Sequence, residues 1–223
     1  NCDHLPLLEA LAARNMPFVR LSPGVECELG ASLFIDEAEG AKVATQHLID
    51  LGHRKIAMIS GPASHRAAQR RLEGFLAAMA PFHGAWTPPV EEGDFLPESG
   101  HRIAMQLLAS SDPPTAIFAA NDGMASGVIA AGIDLGLKLP RDLSVVGFDD
   151  IDIARYTWPR LTTIRQPLAI MAREAVQYLA DKVEGVSRPA SHLQLDFRLV
   201  VRDSTAPPRE GQAAPSSGVT TPS

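Results

Sequence analysis

Cysteine is scarce in this 223-residue chain: only Cys2 and Cys27 are present. Neither has a close Cys or His partner in the sequence. That excludes a disulfide framework and a zinc module, and it fits a reducing, cytoplasmic setting. Basic charge is also short. The formal net charge is −6, with no dense Lys/Arg block, so the chain is poorly equipped to grip DNA or RNA by itself. No apolar run approaches the roughly 18 residues that span a bilayer, which excludes an integral membrane protein. Enzyme motifs are missing: no Gly-x-Ser-x-Gly elbow, no P-loop, no His-Glu-x-x-His, and no Gly-x-Gly-x-x-Gly after a strand. Seven histidines are scattered without ligand spacing, so neither a metal site nor a cofactor is expected. Carboxylates pair only as the neighbours Asp149 and Asp150, whose side chains should diverge.

What is there is ordinary globular composition, enough for one large core or two small ones. Asn1-Cys2-Asp3-His4 lacks the pattern of a signal peptide. A helical pattern of Leu5, Leu8, Leu11 and Ala12 starts almost at once, as expected of a fragment of something longer. Periodicity then predicts a helix over 5–15, strands over 17–21 and 32–35, and a helix over 37–51. The near-continuous apolar run at 55–59 reads as a strand buried on both faces. A helix follows through Arg71, Phe75 and Met79. Strands near 90–93, 115–119 and 143–147 alternate with helices over 97–109 and 122–137. A short β-branched strand at 161–164 precedes a helix from Pro167 to about Glu184, and the alternating run 192–201 reads as one last strand. Such alternation means βαβ units and a parallel, doubly wound α/β sheet. The Pro/Ser/Gly-rich residues 204–223 are expected to be a disordered tail.

In open α/β sheets the ligand sits beyond the carboxyl ends of the strands. Asn121-Asp122, Asp149-Asp150, Gln166 and the 61–68 loop all follow predicted strands, and these four ends can converge on one crevice. Each has a plainer reading. Asn121 sits where a helix N-cap belongs, and Asp149-Asp150 suit a turn and a cap. The basic run His65-Arg66-Ala67-Ala68-Gln69-Arg70-Arg71 suits a solvated helix face. Arg71, however, lies one turn before Phe75 and so points partly inward, where its fork can bind hydroxyls, a carboxylate or Asp149 itself. Phe95 beside a turn is either core or a stacking platform for a flat ligand.

Several strings resemble the effector-sensing domain of the lactose-repressor/galactose-repressor (LacI/GalR) family. They are Gly52-His53-Arg54-Lys55-Ile56-Ala57 with Gly61-Pro62, Arg71-Leu72-Glu73-Gly74-Phe75, and the stretches 114–122, 142–150 and 159–167. In order and at normal separations, they cover roughly residues 5–203. The resemblance implies a periplasmic-binding-protein-like type I fold of two Rossmann-like subdomains, with a small effector in the cleft and three chain crossings near Asp36, Gln166-Pro167 and residue 191. It implies effector contacts at Arg71, Asn121, Asp149 and Phe95, with His65 and Gln166 as further candidates. A sugar or sugar derivative suits these groups: Asp149 accepts from hydroxyls, Arg71 and Asn121 donate, and Phe95 covers a ring face.

The sequence departs from the family pattern in three places. His65 stands where purine-binding relatives carry arginine, Ser22 where aspartate is common, and the helix-turn-helix, hinge and first βα units are absent. The expected division is therefore an incomplete N-terminal subdomain (1–36 plus 167–191) and a C-terminal subdomain (37–166 plus 192–203). The resemblance implies a transcriptional regulator that forms a homodimer and reaches its DNA operator only through the missing N-terminal domain. A solute-binding protein of a sugar transport system shares the fold and is the alternative. An enzyme on the same sheet is disfavoured by the missing motifs.

Overall fold

A computed structural model describes residues 4–23, 29–82, 86–186 and 192–209. The described residues form two sheets. The smaller contains β1 (Val19–Leu21), β2 (Ala31–Phe34) and β8 (His192–Gln194), all parallel, in the order β1-β2-β8. The larger contains β3 (Ile56–Ser60), β4 (Val90–Glu92), β5 (Ala116–Ala119), β6 (Ser144–Asp149), β7 (Thr162–Arg165) and β9 (Arg198–Val200). Its order is β4-β3-β5-β6-β7-β9, parallel except for β9. From β3 the chain first moves outward to β4, then returns past β3 to β5. The strand order thus reverses beside β3 and β5, the kind of switch point at which open α/β sheets bind ligands.

Helix α1 (Leu5–Ala13) precedes β1, and α7 (Leu168–Val183) packs against β1 and β2 of the small sheet. The large sheet carries α2 (Glu37–Asp50), α3 (Arg66–Met79), α4 (Pro97–Leu108), α5 (Asp122–Asp134) and the short α6 (Ile153–Tyr156). Asp36 caps α2, its side chain accepting from Glu39 N at 3.0 Å. At Gly74 of α3 a Cβ would lie 2.0 Å from the Ala38 carbonyl oxygen. Only glycine lets α3 approach the backbone of α2 so closely, and that approach brings the first turns of both helices to the sheet's carboxyl edge.

Burial divides unequally. Strands β3 and β5 are buried at every position, and the main core runs from Leu48 and Phe75 through Phe118, Val145, Phe148 and Ile164. The elements of the small sheet bury few apolar side chains, among them Leu8, Leu33 and Met171, while Val176 and Val183 of α7 stay exposed.

Two sequence expectations are corrected here. The run 192–201 is two strands in different sheets. Residues 192–194 pair with β2 and residues 198–200 with β7, so the third crossing lies between them, over 195–197. Residue 191, where the crossing was expected, lies outside the described residues. Nor are residues 204–209 disordered. Ser204 is fully buried, its hydroxyl donating to Val145 O at 2.6 Å and accepting from Thr162 N at 2.8 Å. Ala206 N donates to Ser144 Oγ at 3.0 Å, and its carbonyl lies 2.9 Å from His53 Nε2. Satisfied backbone groups hold this segment despite its prolines. The rest of the expected tail, 210–223, lies outside the described residues.

Because opening free energy follows local burial, amide hydrogen exchange is expected to be slower in β3, β5 and β6 than in β1, β2 and β8. Equal protection in the two sheets would contradict that assignment of stability.

Candidate effector site

The carboxyl edge of the large sheet is organised around Arg71. Placed on the second turn of α3, the residue is 5% exposed, and each of its three side-chain nitrogens is engaged. Nε donates to Glu37 Oε2 at 2.7 Å, Nη1 donates to the Ala120 carbonyl at 2.5 Å, and Nη2 lies 3.5 Å from Asp149 Oδ1. The guanidinium plane rests on the Phe148 ring, 3.8 Å from its centroid. A buried guanidinium demands this degree of pairing, since charge removed from water is tolerated only when compensated.

Asp149 ends β6. It and Asp150 have φ of +111° and +58°, a left-handed conformation that side chains other than glycine adopt at a cost and that clusters at functional sites. The turn is pinned from below. Buried Asp150 is held by Arg165 and Arg202, and Ile151 N donates to Asp122 Oδ2 at 2.9 Å. Asp149 Oδ1 accepts from Gln166 Nε2 at 2.7 Å. Burial pushes the Asp149 carboxyl above its ordinary range, with Arg71 and Gln166 pulling it back. Asp122 is fully buried; desolvation pushes its carboxyl up to about 7, against the donors Thr163 Oγ1 (2.6 Å) and Ile151 N.

The remaining candidates connect to the same edge. Asn121 caps α5, its Oδ1 accepting from Met124 N at 2.9 Å, and its Nδ2 donates to the Phe95 carbonyl at 2.9 Å. The plainer reading of Asn121 as a cap therefore holds, and the same amide also fixes the Phe95 loop. Phe95, at φ +70°, lays its ring over Gly61, where a Cβ would lie 2.1 Å from the ring. Exposed His65 meets that ring edge-on, with 5.5 Å between centroids. An unbroken series of contacts thus joins His65, Phe95, Asn121, Ala120, Arg71, Asp149 and Gln166 along the ends of β3, β5, β6 and β7.

A hollow of about 410 Å³ opens beside this edge, where the chain crosses between the sheets. Arg165, Gln166, Pro167, Phe197 and Arg198 line it, and Gln166 alone of the six predicted residues borders it. The other five belong to the strand-end cluster rather than to this hollow. Sequence reasoning missed Glu37, which read only as a helix start; its 34-residue separation from Arg71 carries no local signal. Among the described residues no group of three or more His, Cys, Asp or Glu is arranged to hold a metal ion, and no helix is long and apolar enough to cross a membrane.

Comparison with known proteins agrees with this fold. The family model of the periplasmic binding protein-like domain matches residues 45–205. The HTH-type transcriptional repressor PurR of Proteus mirabilis (strain HI4320) is 39% identical over 210 residues, covering 92% of this chain and 60% of that protein. A LacI family transcriptional regulator from Enterococcus faecium, solved with bound ribose, matches with a TM-score of 0.80 at 29% identity, covering 90% of this chain and 75% of that one. A dimeric Lac repressor with an 11-residue C-terminal deletion matches with a TM-score of 0.81 at 31% identity, covering 92% of this chain and 74% of that one. The fold is that of the periplasmic binding protein-like domain. The chain belongs to the LacI/GalR family, as its effector-binding domain. It spans about 60% of the length of the PurR relatives it matches.

Removing the guanidinium leaves Glu37 buried without a cation. Arg71→Met is therefore expected to lower the unfolding free energy by about 3 kcal/mol in urea melts. A loss below about 1 kcal/mol, the range of exposed pairs, would show that the pair does not organise this edge.

Proposed function

We propose that this domain binds a small hydroxylated molecule, a sugar or sugar derivative, at the strand-end cluster. In a full-length regulator that event changes the angle between the two subdomains and thereby operator binding by a helix-turn-helix. The observation that carries this reading is the presentation of Asp149, an incompletely buried carboxylate aimed by a left-handed turn and held between Arg71 and Gln166. Such a group accepts hydrogen bonds from ligand hydroxyls. Its pre-organisation lowers the cost of binding them, because the turn and its partners are already set. Phe95 supplies an apolar surface for a ring face. Arg71 positions Asp149, and Asn121 positions Phe95.

The comparisons support the same direction. The Enterococcus faecium regulator carries ribose, the Proteus mirabilis relative is an HTH-type repressor, and the Lac repressor is a dimer. By that analogy this protein acts in the cytoplasm as a homodimeric, non-enzymatic repressor. These relatives are regulators, so a transport role draws no support from them.

A thermal-shift panel of sugars, sugar phosphates and nucleobases tests the reading. An effector at about 100 times its Kd stabilises by about 2.7 kcal/mol, and Asp149→Ala is expected to abolish that shift. A sugar that stabilises Asp149→Ala as much as the wild type would refute the site. Stabilisation by nucleobases alone would refute the ligand class.

A further inference from the structure

We infer that Glu37 is a specificity-determining residue of the proposed site, selecting neutral hydroxylated ligands over anionic ones by keeping the Arg71 guanidinium occupied. The inference deepens the reading above and rests on it.

The charges at the strand ends decide the matter. Arg71 is shared by two carboxylates, Glu37 and Asp149, so this group carries one negative charge in excess. Arg165 and Arg202 are both held by Asp150. These three guanidinium groups therefore already face carboxylates of the protein itself. A phosphate or carboxylate on a ligand would have to displace Glu37 from Arg71 Nε while approaching the Asp149 carboxylate. Breaking a buried pair leaves an uncompensated charge, and like charges in one site repel.

Unused hydrogen-bonding capacity points the same way. Glu37 Oε1 and Gln166 Oε1 are buried with no hydrogen-bond partner. They stand at the two ends of the series Glu37–Arg71–Asp149–Gln166. The cluster thus has acceptors to spare while each nitrogen of its cation is engaged, a balance that suits hydroxyl donors. The device depends on the fold: Glu37 opens α2 immediately after the crossing from β2, and Gly74 brings α3 close enough for Arg71 to reach it. Without Glu37, the same fork is an anion-binding group.

The test measures inorganic phosphate affinity by calorimetry on the 223-residue chain, comparing the wild type with Glu37→Ala, Glu37→Gln and the double variant Glu37→Ala/Arg71→Gln. Glu37→Ala is expected to bind phosphate about tenfold more tightly than the wild type, the change one released charge-assisted hydrogen bond supplies. The gain should vanish in the double variant. Glu37→Gln keeps an acceptor for Nε but removes the charge, so a gain of about threefold is expected; it carries the test if Glu37→Ala does not fold. Unchanged phosphate affinity in the folded variants, or a gain that survives loss of Arg71, overturns the inference. Because phosphate binding is read without any sugar, that failure is distinct from one in the Asp149→Ala sugar panel, which would overturn the underlying reading.

Discussion

A single buried cation sets the conditions for the rest of this edge of the molecule. The Arg71 guanidinium has almost no contact with solvent, and a charge in that position persists only with partners in several directions. It finds them in Glu37 of α2, the Ala120 carbonyl beyond β5, Asp149 at the end of β6, and the face of Phe148. Four separate chain segments therefore have to arrive at one point. Gly74 is part of that requirement, because a side chain there would push α3 away from α2. Burial of one charge becomes a constraint on helix packing, and helix packing then places the groups at the strand ends.

The strained turn at Asp149 and Asp150 shows how the sheet converts stability into site geometry. Left-handed backbone at two consecutive non-glycine residues persists only where the surroundings over-determine it. Here Arg165 and Arg202 clamp Asp150, and Asp122 accepts from Ile151 N. Asp122 pairs in turn with Thr163 in the neighbouring strand. The well-packed large sheet supports the turn, and the turn aims the Asp149 carboxylate outward. The less buried small sheet is the part better suited to move relative to it. That division of labour fits the change of angle proposed above.

Much of this was legible in the residues. The apolar runs that became β3, β5 and β6, bounded by helical periodicity, predicted a parallel sheet. The rule that ligands sit at carboxyl ends singled out Asn121, Asp149 and Gln166. The inward lean of Arg71 followed from its spacing to Phe75, and Asp149 was among the partners considered for it. Other features depended on tertiary contacts. The alternation over 192–201 is continuous, and only pairing with β2 and then β7 divides it between two sheets. Residues 204–209 have a loop-like composition, yet Ser144, Thr162 and His53 satisfy their polar groups. Glu37 was invisible because its partner lies on another helix, and Asn121 proved to be both a cap and a loop anchor.

The most direct measurement is a crystal structure of the chain with a sugar that stabilises it. The ligand is expected within hydrogen-bonding distance of Asp149 and Gln166, beside the Phe95 ring, with Arg71 still paired to Glu37. A ligand seated away from Asp149, or one gripped by an Arg71 that has left Glu37, would contradict the central role assigned to the buried guanidinium.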